Sequence, residues 1–163
     1  MNNGIQGAPA KSITPFHVGI LVADLEGAIK RFSDVFGIKF GPVQEMIVNA
    51  HGGVEGKVKM KVAYSTQGPF YIELIEGSYG DSLFSLKNGE GVHHLGVWCE
   101  DFPSYQERET RKKLPAATKL NFMPGDPLNW FSNPADLCGT RIEFISNKMR
   151  RGIEAWIHGE DLS

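Results

Sequence analysis

The chain has 163 residues, of which 41% are hydrophobic and 22% charged, and its formal net charge at pH 7 is −2. This balance excludes fibrous, disordered and strongly basic nucleic-acid-binding classes, and no apolar run approaches the ~20 residues that span a bilayer. Two cysteines, Cys99 and Cys138, are too few for a disulfide framework. We therefore expect a cytoplasmic protein that has neither a nucleic-acid nor a membrane partner.

The first half of the chain predicts one strand, one helix and then further strands. Residues 1–12 are small and polar, which is typical of a flexible tail. The β-branched segment 13–22 predicts a buried strand. Asp24 can cap the following helix, whose apolar positions recur at helical spacing from Leu25 to Phe36 before Gly37 ends it. Extended segments are predicted at 38–48, 57–65 and 69–76, with a glycine-rich loop at 49–53.

The second half of the chain predicts a similar order of elements. A short helix at 82–87 precedes an apolar strand at 92–99, and Asp101 can cap a helix at 103–113. Extended segments are predicted at 119–123, 130–132 and 141–146. Residues 148–163 are polar and predict a C-terminal tail, whose one amphipathic segment, 153–157, packs on the body or on a second subunit.

An internal repeat relates the two halves. Each half opens on a His-x-Gly strand with an Asp five positions after the Gly, and each ends on a strand that reads Ile-Glu-apolar-Ile. The coincident residues are His17 with His94, Gly19 with Gly96, Asp24 with Asp101, and Glu73 with Glu143. The repeat predicts an α+β fold with one domain at 13–147, built from two βαβββ modules at about 13–77 and about 91–147.

Strand alternation places the repeated polar residues on one face of the sheet. Alternate residues of a strand share a face, so His17 points away from the neighbours that need the amphipathic helix as their core. The same alternation puts Glu73 and Glu143 opposite the apolar residues beside them. Pairing the modules would therefore bring two imidazoles and two carboxylates together across a concave surface. Buried carboxylates need a cation, so this set predicts a divalent metal site formed by His17, Glu73, His94 and Glu143.

The chain resembles the vicinal oxygen chelate superfamily, which includes glyoxalase I, methylmalonyl-CoA epimerase, extradiol dioxygenases and bleomycin-resistance proteins. The segment GVHHLGV at 91–97, the strand IELI at 72–75 and the ending CGTRIE at 138–143 carry the resemblance, which is closest to methylmalonyl-CoA epimerase-like members. It implies the same four metal ligands. It also implies that the modules form a U-shaped, partly closed mixed sheet around a metal-binding cup.

The metal and its chemistry follow from the donor set. Nitrogen and carboxylate donors without a thiolate suit Zn, Co, Ni, Mn or Fe, and the sequence does not choose among them. Such an ion polarises a carbonyl and makes the neighbouring C–H acidic, so a carboxylate must take and return the proton. We assign that role to Glu143, assisted by Glu73. Glu45 and Glu55 are further acidic candidates by position, although a solvated loop charge is the favoured interpretation of both.

Several residues are predicted to contact the substrate in the cup. By strand parity Trp98 and Tyr71 share its face, Arg141 could steer a carboxylate, and Trp130 could cover the opening. Gly19 and Gly96 are predicted to leave room for the substrate beside the ion, because neither has a Cβ. His93 is expected to point into the core and not to the metal.

These features favour the hypothesis that the protein is a metal-dependent isomerase or epimerase, which works through an enolate on a small-molecule carbonyl substrate. A glyoxalase I-type lyase acting on a thiol conjugate shares the four ligands, and an extradiol dioxygenase would need only three of them. A drug-binding protein of the same fold would lack the metal. The substrate could be an acyl-CoA, a glutathione adduct or a secondary metabolite, and a homodimer is expected at the level of the family only.

Overall fold

The computed structural model describes residues 13–101, 114, 116–121 and 129–160, which form eight strands, two α-helices and three short 3-10 turns. Within these ranges no helix combines the length and the apolar character needed to cross a bilayer. The strands are β1 (His17–Val22), β2 (Gln44–Gly52), β3 (Gly56–Tyr64), β4 (Tyr71–Glu76), β5 (Gly91–Cys99), β6 (Ala116–Asn121), β7 (Asn129–Ser132) and β8 (Ile142–Ser146). The helices are α1 (Leu25–Phe36) and α2 (Arg150–His158).

The strand pairing repeats from one half of the chain to the other. In the first half the order is β1-β4-β3-β2, with β1 parallel to β4 and the other pairs antiparallel. In the second half the order is β5-β8-β7-β6 with the same directions. The strand order and directions are thus the same in both halves, whereas the helix predicted at 103–113 lies outside the described residues.

The two halves join along two seams and close the sheet into a barrel. β1 pairs with β5 and β2 pairs with β6, both antiparallel. The prediction of a partly closed, U-shaped sheet is therefore corrected. The physical reason is that β2 runs through the predicted loop at 49–53, and its residues 49–52 pair with residues 118–121 of β6.

α1 covers the outer face of the first half of the sheet. The Asp24 side chain accepts the backbone N–H of Gly27 at 3.1 Å, and Gly37 ends the helix with a left-handed φ of 67°. Leu25 is fully buried against Val22 and Leu74. The residues that alternate with His17 and Glu73 therefore pack against α1, and the two polar side chains point to the barrel interior, as the strand parity predicts.

The described part of the C-terminal segment contains the helix α2, which packs on the barrel. Ile157 of α2 is only 1% exposed and belongs to the interior core, together with Leu21, Val62 and Ile75. The Trp156 Nε1–H donates a hydrogen bond of 2.7 Å to the carbonyl oxygen of Pro42. The amphipathic segment at 153–157 thus packs on the body of its own chain.

Candidate metal centre

Four buried side chains meet at the centre of the barrel, where β1, β4, β5 and β8 lie side by side. They are His17, Glu73, His94 and Glu143, the four residues that the repeat predicts. The two histidine Nε2 atoms are 2.9 Å apart. Oε2 of Glu73 lies 3.3 Å from Nε2 of His17 and 3.1 Å from that of His94, and Oε2 of Glu143 lies 3.2 and 3.1 Å from the same atoms. Each module contributes one histidine and one glutamate.

Two glycines make the space for the imidazole rings. His17 pairs with Gly96 across the β1–β5 seam, and Gly19 pairs with His94. A Cβ on Gly96 would overlap the ring of His17, and one on Gly19 would overlap the ring of His94. The predicted role of the two glycines is therefore corrected. Each makes room for a histidine of the other module's half of the cluster and not for a substrate.

The charges of the four groups depend on one another. Burial lowers the pKa of His94, but the carboxylates of Glu143 and Glu73 outweigh burial and raise that pKa to about 9. The pKa of His17 is raised by the same carboxylates against the same cost of burial. Burial opposes ionisation of the glutamates, yet the histidines lower the pKa of Glu143 to about 2 and that of Glu73 further. The ionised carboxylates thus stabilise a positive charge at this point of the interior.

The geometry of the cluster fits a divalent metal ion. Two ligand atoms each ~2.1 Å from one ion and ~90–109° apart are separated by ~3.0–3.4 Å, and the measured separations of 2.9–3.3 Å agree with this spacing. Oε2 of each glutamate is buried and lies within 3.3 Å of both imidazole Nε2 atoms. Imidazole nitrogen and carboxylate oxygen are donors that Zn, Co, Ni, Mn and Fe accept. The cluster could therefore hold one such ion.

A neutral hydrogen-bond donor lies beside each carboxylate, and neither donor is among the site residues that the sequence predicts. Asn129 Nδ2 donates a hydrogen bond of 2.6 Å to Oε1 of Glu143, the oxygen that does not face the histidines. The buried hydroxyl of Tyr64 interacts with Glu73, its neighbour across β3 and β4. Burial, followed by the two carboxylates, raises the pKa of Tyr64 well above its ordinary value, so the phenol stays protonated.

His93 lies in the interior behind His94. Its Nδ1 is 2.9 Å from Nδ1 of His94, the ring nitrogen that faces away from the cluster, and its Nε2 is 3.0 Å from the carbonyl oxygen of Leu83. A register shift in the β1–β5 pairing lets two consecutive histidines point inward. Burial, His94 and Arg141 lower the pKa of His93 to about 3, so its ring is neutral. His93 does not reach the cluster, but it contacts one of the predicted ligands.

The carboxylates face a cavity of about 350 Å³ inside the barrel. Its walls come from β2, β3, β6, β7, β8 and α2, and they are largely apolar. The lining residues beyond Glu73 and Glu143 are Gln44, Met46, Val48, Met60, Val62, Tyr64, Leu120, Asn121, Asn129, Ile145, Met149, Gly152, Ile153, Trp156 and Glu160. The sequence contains a pattern that predicts which residues of β3 line the cavity. Lys57, Lys59 and Lys61 alternate with the residues that point inward.

The four predicted substrate-binding residues lie elsewhere. The Trp130 ring is fully buried on the outer face of the sheet, where it stacks on Phe144 with a centroid separation of 3.8 Å. Trp98 stacks on Phe16 at 3.9 Å. Tyr71 packs at the edge of the interior core, and Arg141 contacts His93. None of the four lines the cavity.

The two further acidic candidates also point away from the cavity. Glu45 is exposed on β2 and pairs with Lys59 at 3.1 Å. Glu55 is exposed in the turn after β2, where it accepts the backbone N–H of Gly52. The solvated-charge interpretation of both residues agrees with these positions.

Comparison with solved structures finds the same fold in other proteins. A variant of Streptomyces coelicolor methylmalonyl-CoA epimerase in complex with 2-nitronate-propionyl-CoA matches with a TM-score of 0.59 and 21% identity, over 83% of this chain and 95% of that chain. A hypothetical protein from Bacillus halodurans C-125 matches with a TM-score of 0.59 and 21% identity, over 84% and 96%. Methylmalonyl-CoA epimerase from Mycobacterium tuberculosis matches with a TM-score of 0.56 and 19% identity, over 90% and 97%.

Sequence comparison gives a curated relative and a family. The uncharacterized protein YqjC of Bacillus subtilis is 31% identical over 86 residues, which is 51% of this chain and 55% of that protein, so the match spans about half the length of this relative. The model of the Glyoxalase/Bleomycin resistance protein/Dioxygenase superfamily matches residues 16–122. That segment is more than half of the chain and includes three of the four clustered residues. The chain belongs to the glyoxalase/bleomycin resistance protein/dioxygenase superfamily.

Proposed function

We propose that this chain is a divalent-metal-dependent isomerase or epimerase that shifts a proton at the carbon next to a substrate carbonyl, through an enolate. The observation that carries the proposal is the buried cluster of two histidines and two glutamates facing a cavity. Burying two carboxylates is costly unless they serve a cation, and such sites are where reactive groups are found. The fold shared with the methylmalonyl-CoA epimerases supports the same reaction class.

In this proposal His17, Glu73, His94 and Glu143 hold the ion. When bound, a divalent ion supplies Lewis-acid polarisation of the carbonyl, which makes the neighbouring C–H acidic. The donor set leaves Zn, Co, Ni, Mn and Fe as candidates. We also propose, from family membership, a homodimer in the cytoplasm.

Glu143 is the proposed base. Its Oε1 does not face the histidines, accepts the hydrogen bond from Asn129 and belongs to a carboxylate that lines the cavity. That oxygen takes the α-proton and returns it to the enolate. Glu73 assists on the other side, with the protonated Tyr64 beside it as a fixed donor.

The alternative of a metal-free drug-binding protein explains the cluster less well. A binding module gains no affinity from four ionisable groups that compete for protons in its interior, and replacing them by apolar residues would cost it nothing. A glyoxalase-type lyase uses the same ligands and the same proton transfer on a thiol conjugate. It differs from the proposal in substrate and not in the chemistry of Glu143.

Exchange of a substrate α-proton with solvent tests the proposal. The purified protein is assayed for bound metal, loaded with each candidate ion and incubated in D₂O with methylmalonyl-CoA or with the neutral α-hydroxyketone benzoin. Loss of the α-proton signal is followed by NMR. We expect Glu143→Gln to slow exchange by ~100-fold or more, and the matched variant Glu45→Gln, on the outside of β2, to exchange at the parent rate.

Two results would contradict this assignment. Full exchange by Glu143→Gln would exclude Glu143 as the base. A protein that binds none of the five ions at one equivalent would exclude the metal-dependent mechanism.

A further inference from the structure

The cavity beside the carboxylates has one apolar wall made by two neighbouring strands. Met46 of β2 lies directly opposite Met60 of β3, and Gln44 lies opposite Val62. These side chains line the cavity, whereas the lysines that alternate with them on β3 point outward. Methionine side chains are flexible and polarisable, so this wall can adapt to apolar groups of different shape.

α2 and the turn before it form a second apolar wall. Ile153 and Trp156 of α2 and Met149, which directly precedes it, line the cavity. Trp156 is held in place by its hydrogen bond to Pro42, and its ring meets the ring of Tyr64 edge-on at 5.1 Å. The space between the two walls therefore suits an apolar body bound close to the carboxylates.

The charged side chains that line this space, among the residues that the structure describes, are all acidic. The ionisable lining groups among the described residues are Glu73, Glu143, Glu160 and the protonated Tyr64, and no arginine, lysine or histidine is among them. The nearest lysines of β3 are engaged outside the barrel: Lys59 pairs with Glu45, and Lys61 pairs with Glu26 and Glu76. The remaining polar lining groups are neutral amides, such as those of Gln44 and Asn129.

An anionic substrate body would be unfavourable here. A carboxylate or phosphate between the methionine wall and α2 would lose its hydration there without gaining a cationic side chain from the described lining, and it would approach Glu160. A neutral group with one or two hydrogen-bonding atoms would lose little, because the amides of Gln44 and Asn129 can pair with it. The lining of the cavity thus disfavours a negative charge on the substrate body.

We propose that the substrate is an uncharged carbonyl compound with an apolar body, which lies between the methionine wall and α2 while its oxygens face the His–Glu cluster. This inference rests on the proposed function, and it narrows the substrate class from carbonyl compounds in general to neutral ones. An acyl chain that ends in a carboxylate belongs to the disfavoured class.

A pair of matched probes tests the inference by binding alone. Hexanohydroxamic acid and adipic acid monohydroxamate offer the same pair of oxygens to a metal ion, and they differ in the methyl or carboxylate at the end of the tail. Titration calorimetry with the zinc-loaded protein gives both affinities. We expect the neutral tail to bind at least 10-fold more tightly than the charged one.

A variant pair then locates the discrimination at the methionine wall. Met46→Lys places a cation in the cavity and should reduce the preference for the neutral tail by 10-fold or more. Ile47→Lys adds the same side chain to the next residue of β2, which is 60% exposed on the outside, and should leave both affinities unchanged. Circular dichroism checks that both variants fold, and the comparison of probes on the parent protein stands without them.

The possible results of these titrations distinguish a failure of the neutral-substrate inference from a failure of the proposed function. Equal binding of the two probes, or tighter binding of the charged one, overturns the neutral substrate class and leaves the metal chemistry in place. An unchanged preference in folded Met46→Lys also overturns it. Failure of both hydroxamates to bind the zinc-loaded protein overturns the proposed function itself, and the substrate class with it.

Discussion

At the scale of single residues, the His–Glu cluster depends on two glycines as much as on its four polar side chains. The rings of His17 and His94 occupy the space where Gly96 and Gly19 would otherwise carry a Cβ. The histidines of the two modules therefore approach each other only because each module also supplies a glycine. This exchange across the β1–β5 seam explains why His and Gly recur together in the repeat.

Gly96→Ala should displace His17 and weaken metal binding. The added methyl group overlaps the imidazole ring, which must rotate or shift away from the other three ligands. We expect a loss of ~10–100-fold in zinc affinity, measured by competition with a fluorescent chelator, because disturbing ligand orientation has effects of this size. Gly80→Ala is the matched control, since its nearest neighbouring atom, the hydroxyl oxygen of Ser78, is 3.9 Å away. Equal zinc affinity of parent and Gly96→Ala would contradict the role given to this glycine.

His93 is expected to hold His94 in the orientation that binds a metal. A His94 that binds an ion through Nε2 carries its proton on Nδ1 and can donate it to Nδ1 of His93, 2.9 Å away. His93→Phe keeps a ring in the interior but removes this acceptor. Zinc affinity should fall ~10-fold, with a smaller change in thermal stability. His51→Phe, an exposed site at the end of β2, should bind zinc like the parent. Loss of stability without loss of zinc affinity in His93→Phe would show that the contact serves packing alone.

At the scale of elements, the repeat predicts some parts of the structure better than others. β1, α1, β4, β5 and β8 carry strong apolar patterns, and the four clustered residues lie on the strands among them, so parity alone predicts their common face. The sequence predicts too short a strand for β2, because Asn-Ala-His-Gly-Gly at 49–53 has the composition of a loop. Pairing with both β3 and β6 makes most of that segment a strand, and neighbours distant in sequence leave no local signal.

α2 is a second element that the local sequence does not predict. Its segment contains three charged residues and a glycine, and it is too short to form a stable helix by propensity alone. It is helical because Ala155 and Ile157 are buried against the barrel. The cavity wall that it supplies could not be predicted from the repeat, since the repeat ends before it begins.

α2 should contribute to ligand binding and not to metal binding. Trp156 lines the cavity but lies outside the His–Glu cluster. We expect Trp156→Ala to weaken binding of hexanohydroxamic acid to the zinc-loaded protein by ~10-fold, because a large apolar contact is lost, while zinc affinity stays within a factor of two. Trp98→Ala removes a tryptophan that does not line the cavity, and its probe affinity should match the parent. A parallel loss of zinc affinity in Trp156→Ala would show that α2 supports the metal site as well.

At the scale of the whole molecule, the site joins the two halves of the barrel. The first half contributes His17 and Glu73, and the second contributes His94 and Glu143, so neither half contains all four clustered residues. β1–β5 and β2–β6 are the seams that hold the halves together, and the cluster lies against the first of them. An ion bound there would stabilise the closed barrel relative to the unfolded chain, because the unfolded chain has no preformed site.

Removing the metal should therefore lower the melting temperature, by an amount that depends on pH. Zinc at 100 times its dissociation constant adds ~2.7 kcal/mol to the free energy of unfolding, which raises the melting temperature of a chain of this size by ~5–10 °C.

The pH dependence follows from the shifted pKa values of the cluster. In EDTA the protonated His94, with its pKa raised to about 9, stabilises the fold fully below pH 6.5, and this contribution is lost as the pH rises towards 9. Glu143, with its pKa lowered to about 2, contributes above pH 4.5 and loses that contribution as the pH falls towards 2. Calorimetric melting from pH 4 to 9 should show zinc and EDTA curves that diverge most at the alkaline end. The double variant Glu73→Gln/Glu143→Gln should give one curve with either additive, and a parent protein that melts alike with zinc and EDTA at pH 9 would contradict the metal site.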